Sequence, residues 1–252
     1  MSTAALYTDL SQYYDLMCQD IDYQLQSFGV SRLHQIFGNG GNLHLDLACG
    51  TGPHIEHFLR QGYVCSGLDL NQPMLDLAQT RCPDAIFSLQ NICSFQVVQP
   101  QDLITCFLYS LHYSGTLANL RACIDRVYHA LNDGGVFCFN AVDKTQIDNS
   151  LQVSHVTQHQ GSEFCFKSGW FYAGDGEQQQ LQLQMSKTTN GQQQCWQDTH
   201  PMVAVSFAEL HDLLAPYFEV HFLNHDYESI APLASDAGNA LIVCIKHAHK
   251  AN

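Results

Sequence analysis

Apolar residues recur at helical spacing from the start of the chain: Leu6, Leu10, Tyr14 and Met17, then Leu25, Phe28, Leu33, Ile36 and Phe37. This spacing predicts a helical segment over 6–37, ended by the breaker GNGGN at 38–42. An apolar run at 43–48 then predicts a strand, and Ile55, Phe58 and Leu59 give one face of a helix over 53–61. YVCSGLDL (63–70) reads as a second strand, and QPMLDLAQTRC (72–82) as a helix with proline near its start. AIFSLQ (85–90) predicts a third strand, and DLITCFLYSL (102–111) a long fourth one, apolar enough for the centre of a sheet. A helix over 118–135, closed by Asp-Gly-Gly, and a fifth strand at 136–142 follow.

Strands alternating with helices at this interval imply an α/β fold, a doubly wound and largely parallel sheet. Between 151 and 204 the period changes to two, with Gly and Asn-Gly punctuation, and TTNGQQ is a hairpin signal. An antiparallel β insertion is expected there. SFAELHDLLAPY (206–217) restores the helical period, with Ser206 and Glu209 placed for a capping box. Strands at 218–226 and 240–247 bring the Rossmann-like sheet to seven. The expected organisation is an N-terminal helical cap (1–40), a core (41–145 and 205–252) and the insertion (146–204), serving as a substrate lid or a dimer contact.

Bulk properties narrow the function. No run approaches the length of a membrane span, and the first residues lack a basic start followed by an apolar core, so neither membrane nor secretory signal is expected. The net charge of −14 comes with no Lys/Arg cluster, which argues against a nucleic-acid partner. Eleven cysteines, an odd number without CxxC spacing and mostly inside apolar runs, fit buried thiols in a reducing cytoplasm better than disulfides. His155/His159 and His221/His225 are each four apart, but in extended segments that separation is roughly 13 Å. They cannot share a metal directly, and none is expected.

The chemistry concentrates in LHLDLACGTG (43–52), where a strand runs into a glycine turn and a helix. A dinucleotide fingerprint needs a third glycine where this chain has Ile55, and Pro53 removes a helix-start N–H that a pyrophosphate would use. A nucleoside without phosphate needs only the close backbone approach that Gly50 and Gly52 permit. Asp46 at the strand end can meet an ammonium group, directly or through ordered solvent. Asp69, ending the second strand, can accept hydrogen bonds from both ribose hydroxyls.

These residues resemble the core of class I S-adenosylmethionine-dependent methyltransferases. LHLDLACGTG is similar to their first motif, with Asp46, Ala48, Gly50 and Gly52 at the signature places. Asp69, followed by Leu70, matches the ribose-binding acid, and Met74 the apolar residue beside adenine. Asn91 and Ile92 stand where Asp-Met or Asp-Ile is common, and the Asn91 carbonyl oxygen is expected to meet the adenine amino group. DLITCFLYSLHY resembles the fourth strand, whose end faces the methyl group, so Leu108 is expected beside the cofactor. YTDLSQYYDLM resembles the cap of small-molecule enzymes such as aminosugar N,N-dimethyltransferases and glycine N-methyltransferase. There a tyrosine reaches the methionine end; Tyr14 is the best match and Tyr7 the second. The resemblance implies S-adenosyl-L-methionine as cofactor and methyl transfer to a small molecule, an amine slightly favoured over a hydroxyl, with a homodimer compatible. His112 and Tyr113 are the candidate catalytic residues, His112 as a base for a protonated nucleophile. Two alternatives stay open: an NAD(P)-dependent oxidoreductase with an atypical turn, and a non-catalytic S-adenosylmethionine-binding protein.

Overall fold

The structure is a computed structural model that describes residues 5–247. The N-terminal segment is not one helix. It consists of 3₁₀ turns at Ala5–Tyr7 and Ser11–Tyr13, a single turn α1 (Tyr14–Met17), and then α2 (Tyr23–Phe37), whose N-cap Asp22 accepts the Leu25 N–H. Leu6, Leu10, Tyr14 and Met17 still share a buried face. It packs on the β insertion, against Phe164, Phe166, Leu183 and Met185, and not on the main sheet.

The core then alternates β1 (Leu43–Leu47), α3 (Pro53–Arg60), β2 (Val64–Asp69), α4 (Gln72–Arg81), β3 (Ile86–Leu89), β4 (Gln101–Cys106), α5 (Leu117–Ala130) and β5 (Leu131–Val142). The insertion follows as β6 (Val153–His159), β7 (Ser162–Tyr172), β8 (Gln178–Thr189) and β9 (Gln192–Val203). The chain then closes with α6 (Phe207–Leu214), β10 (Phe218–Leu223) and β11 (Asn239–Lys246). The main sheet has the order β10-β11-β5-β4-β1-β2-β3, with β11 antiparallel to both neighbours and the other pairings parallel. The four insertion strands form a separate antiparallel sheet. Asn190 and Gly191 both take positive φ in the β8–β9 hairpin, as the Asn-Gly signal requires. Ser206 and Glu209 make the full capping box of α6.

Along β5, Val136 and Cys138 face the layer of α2 and α3, while Phe137 and Phe139 face the layer of α5 and α6. Both faces of the central strands are therefore covered, which is why they read as continuous apolar runs.

The strand expected over 218–226 stops at Leu223 and the helix expected over 206–217 at Leu214, and two further boundaries move for a tertiary reason. The fourth strand stops at Cys106 because Leu108 and Tyr109 take left-handed φ (53° and 62°), with Asn140 Oδ1 on β5 accepting the Tyr109 N–H at 3.0 Å. Residues 110–114 form a 3₁₀ turn instead. Helix α5 ends at Ala130, ahead of Asp-Gly-Gly. Lys246 Nζ, arriving on β11, donates to the Tyr128 and Leu131 carbonyls at its C-terminus (2.9 and 2.7 Å). The Asp-Gly-Gly instead forms an irregularity at the start of β5, where the register slips between Gln101↔Leu131 and Leu103↔Val136.

Among the described residues no cluster of His, Cys, Asp and Glu could hold a metal ion, and no helix is long and apolar enough to cross a membrane. His155 stacks on Phe166, and His221 on Phe37.

Candidate active site

The turn after β1 is built from left-handed residues: Ala48 (φ 54°), Gly50 (φ 56°) and Gly52 (φ 79°). Gly52 is the N-cap of α3, and Pro53 occupies its first turn. The Gly50 N–H donates to Asp69 Oδ2 at 3.1 Å, so β2 holds the turn in place. Asp69 Oδ1 accepts from the Asn71 N–H (2.9 Å) and Nδ2 (3.1 Å). Helix and sheet still pack closely without a third glycine. A Cβ on Gly67 of β2 would lie 2.6 Å from Ile55 Cδ1, so Gly67 vacates the space that Ile55 fills.

Two adjoining cavities open at the C-terminal ends of β1, β2 and β4. The larger, about 680 Å³, is bounded on the core side by Ala48, Gly50, Asp69, Leu70, Asn71, Met74, Gln90, Asn91 and Ile92. Tyr7 and Tyr14 of the cap and Ser110 and Tyr113 of the 3₁₀ turn complete its wall. The smaller, about 290 Å³, shares Tyr14, Ala48, Gly50 and Ser110 and continues past Asp46 and Leu108 to Tyr23, His54 and Phe107. Gly52 lies behind the turn and shapes it without lining either cavity. Asn91 Oδ1 accepts the Cys93 N–H at 2.8 Å, which leaves Nδ2 as the end of the amide turned to a ligand. Sequence reasoning missed Tyr23, Asn71, Gln90 and Ser110. Tyr23, at the start of α2, has its hydroxyl buried beside the smaller cavity and next to the Cys18 thiol.

The electrostatics are acidic. Asp46 is 2% exposed and accepts from Thr105 Oγ1 at 2.7 Å; Thr105 in turn accepts from His44 Nε2 at 2.8 Å. Burial pushes the Asp46 carboxyl up to about 7, the Thr105 bond opposing and the Asp69 charge adding. Burial also raises Asp69, against the N–H groups that favour its charged form. No Lys or Arg among the described residues lines either cavity.

Arg81 closes the cap from outside. It donates to Asp15 Oδ2 (2.5 Å), the Thr51 carbonyl (2.8 Å) and Thr51 Oγ1 (2.9 Å), and Thr51 Oγ1 donates to Asp15 Oδ1 (2.6 Å). The clasp ties α1 to the glycine turn. Because it is partly exposed, Arg81→Ala is expected to cost about 1 kcal/mol and to raise proteolysis within residues 5–20 several-fold. Unchanged protection of that segment would show that the clasp does not hold the cap.

His112 and Tyr113 separate in the structure. His112 is buried away from both cavities: Nε2 accepts the Val142 N–H (3.1 Å), which places the proton on Nδ1, and Nδ1–H donates to the Val203 carbonyl (2.9 Å). Burial holds it neutral, down to about 4. With both nitrogens occupied, His112 pins the end of β9 to β5. Tyr113 faces the larger cavity, its hydroxyl 2.7 Å from Tyr7 Oη and 2.5 Å from His200 Nδ1. The insertion aromatics also divide. Trp196 packs with the cap, whereas Trp170 meets Tyr109 and His112 edge-on.

Residues 45–135 match the family described as a methyltransferase domain. The chain is 30% identical to the dTDP-3-amino-3,6-dideoxy-alpha-D-glucopyranose N,N-dimethyltransferase of Streptomyces fradiae over 51% of this chain and 51% of that protein. It is 35% identical to the dTDP-4-amino-2,3,4,6-tetradeoxy-D-glucose N,N-dimethyltransferase of Saccharopolyspora spinosa over 36% of this chain and 37% of that protein. The chain thus spans about half, or less, of the length of these curated relatives. Among solved structures, DesVI of Streptomyces venezuelae superposes with a TM-score of 0.81 at 22% identity, covering 95% of this chain and 99% of that one. The SAM-bound amino pentose methyltransferase CalS10 of Micromonospora echinaspora gives 0.80 at 17%, covering 95% and 97%. Residues 45–135 thus match a methyltransferase domain, and the chain has the fold of these solved methyltransferases.

Proposed function

We propose that this chain is an S-adenosylmethionine-dependent methyltransferase acting on the amine of a small molecule. The observation that carries the proposal is the pair of buried carboxylates, Asp46 and Asp69, facing two joined cavities that no described Lys or Arg lines. A dinucleotide would bring its phosphates against that field. A ligand with a sulfonium and an ammonium is attracted by it. The buried Tyr23 hydroxyl, held only by the weakly bonding Cys18 thiol, and the side-chain-free turn at Gly50 also fit such a ligand.

In this assignment Asp69 receives the ribose hydroxyls, and Leu70, Met74 and Ile92 enclose the adenine, with Asn91 Nδ2 at its edge. Asp46 meets the amino group, and Tyr23 offers its hydroxyl to the carboxylate. Tyr14, Ala48 and Leu108 close the methionine end, and Gly52 keeps the turn in its left-handed course. The bound cofactor supplies an electrophilic methyl group on sulfur. The residues around it align the nucleophile, exclude water and remove one proton where the nucleophile arrives charged.

The acceptor preference follows from the wall. An alcohol needs a strong base at the reacting oxygen, and His112 offers no free nitrogen. An amine needs only to lose its ammonium proton, which a weak base accepts, before its lone pair attacks. The N,N-dimethyltransferase relatives and the amino pentose enzyme support the same choice. The test is S-adenosylhomocysteine release from S-adenosylmethionine over a panel of primary amines and matched alcohols. Turnover with amines and none with alcohols is expected; the reverse order would overturn the amine assignment, and release with neither would leave a binding protein.

A further inference from the structure

Beyond the two cavities, the insertion contributes one buried imidazole that the scheme above does not use. His200 lies on β9, the edge strand of the insertion sheet, followed by Pro201, which an edge tolerates. The residue is 3% exposed, and its Nε2 has no hydrogen-bond partner. Its Nδ1 meets the Tyr113 hydroxyl, which meets the Tyr7 hydroxyl, and both tyrosines line the larger cavity. The ring of Tyr7 also packs on His200 at 5.2 Å between centroids. Three elements distant in sequence thus supply one unbroken hydrogen-bonded line, from the cavity wall to a buried base.

Its direction follows from acidity. A phenol is a far better donor than a neutral imidazole N–H, and an imidazole nitrogen is the better acceptor. Tyr113 therefore donates to His200 Nδ1 and Tyr7 donates to Tyr113. That leaves the lone pairs of the Tyr7 oxygen as the outer end of the line. Such an end accepts a proton; it has none to give.

We propose that His200, acting through Tyr113 and Tyr7, receives the proton that the amine acceptor must shed before it can attack the methyl group. The proposal rests on the amine-methyltransferase assignment. An ammonium N–H bond breaks as its proton passes to the Tyr7 oxygen. The Tyr7 hydroxyl proton moves to Tyr113, and that of Tyr113 to His200 Nδ1, so both phenols stay neutral and the imidazole becomes imidazolium. The freed nitrogen pair forms the N–C bond, and the S–C electrons remain on sulfur. After the products leave, the proton returns outward along the same hydroxyls. Burial keeps His200 below its ordinary value and so neutral at rest, while Asp198, two residues back on β9, favours its charged form. The other ionisable groups facing the line are Asp69, Cys18 and Tyr14, and burial raises all three tyrosines, so none ionises in its place. His200 is a positioning and relay residue. Tyr7 is the group that touches the acceptor.

The experiment compares wild type, His200→Gln and Tyr113→Phe for S-adenosylhomocysteine formation from pH 6 to 10, with ethylamine, glucosamine and glycine as amine probes. Gln keeps an acceptor for Tyr113 but takes no proton, and Phe cuts the line while leaving His200 in place. For both variants turnover at pH 7 is expected to fall about 100-fold. The deficit should shrink as pH rises towards the pKa of the amine, with S-adenosylmethionine affinity unchanged. A deficit constant across pH, or one that appears as lost cofactor affinity, would mean a structural role and overturn the relay. So would a wild-type pH profile in His200→Gln. If the wild type transfers methyl to none of the amines, the amine assignment falls and the relay with it.

Discussion

Asp69→Ala is expected to weaken S-adenosylmethionine binding about 100-fold, the loss of two hydrogen bonds to a charged acceptor at about 1.5 kcal/mol each. Asp69 has a second duty, since it accepts the Gly50 and Asn71 N–H groups that shape the turn. Both losses act in the same direction on the cofactor. Isothermal titration of S-adenosylmethionine and of NAD against wild type and variant measures the effect, with a thermal melt to confirm folding. Asp69→Asn separates the two duties: one amide oxygen can still serve Asn71, but its NH₂ opposes the Gly50 N–H. An Asp69→Ala protein with wild-type affinity would sink the ribose assignment and the site drawn around it.

The second large effect is a pH dependence set by Asp46. Its carboxyl titrates at about 7 because burial, and next the Asp69 charge, resist ionisation against the Thr105 hydrogen bond. The other groups around it, His44 beyond Thr105 and the thiols of Cys49, Cys65 and Cys106, are neutral at this pH. A cationic ligand binds the ionised form. Below pH 7 the free protein carries the proton, so binding must expel it, and affinity falls towards tenfold per pH unit; above 7 it levels off. Between pH 7.5 and 5.5 the expected loss is about 20-fold, from a cost of about 1.4 kcal/mol per unit.

The linkage to stability has the opposite sign. A carboxyl raised in the folded state favours folding below its unfolded pKa, and that contribution disappears as pH rises through 7. Ligand binding removes the penalty of the buried charge, so the thermal shift caused by S-adenosylmethionine should be larger at pH 8 than at pH 5.5. Asp46→Asn should bind weakly and show neither dependence. A wild-type affinity that does not change between pH 5.5 and 7.5 would exclude Asp46 as the partner of the amino group.

The element order and the glycine-turn end of the cavities were legible in the chain because they are local. Strand, turn and helix follow one another within 43–61, and Gly50, Asp69 and Met74 all sit at or shortly beyond strand ends, where periodicity changes and turn chemistry shows. The capping box at Ser206 and the Asn-Gly hairpin are local for the same reason. The N-terminal period grouped Leu6, Leu10, Tyr14 and Met17 on one face, but it showed neither the break into 3₁₀ turns nor the surface that face would bury against. The insertion sheet takes it.

What stayed hidden depends on partners far apart along the chain. The ends of the fourth strand and of α5 are set by Asn140 and Lys246, which reach them from β5 and β11. His112 and Tyr113 looked equivalent as neighbours after the fourth strand. The 3₁₀ turn sends one into a buried pin between Val142 and Val203 and the other to the cavity wall. His200 carried no sign at all within an alternating polar strand. Its meaning lies in a contact 87 residues away, made because the His112 pin seats the end of β9 beside Tyr113. Periodicity and turn residues record how a segment folds against its own neighbours. Which hydroxyl finds which imidazole is set by the docking of one sheet on another.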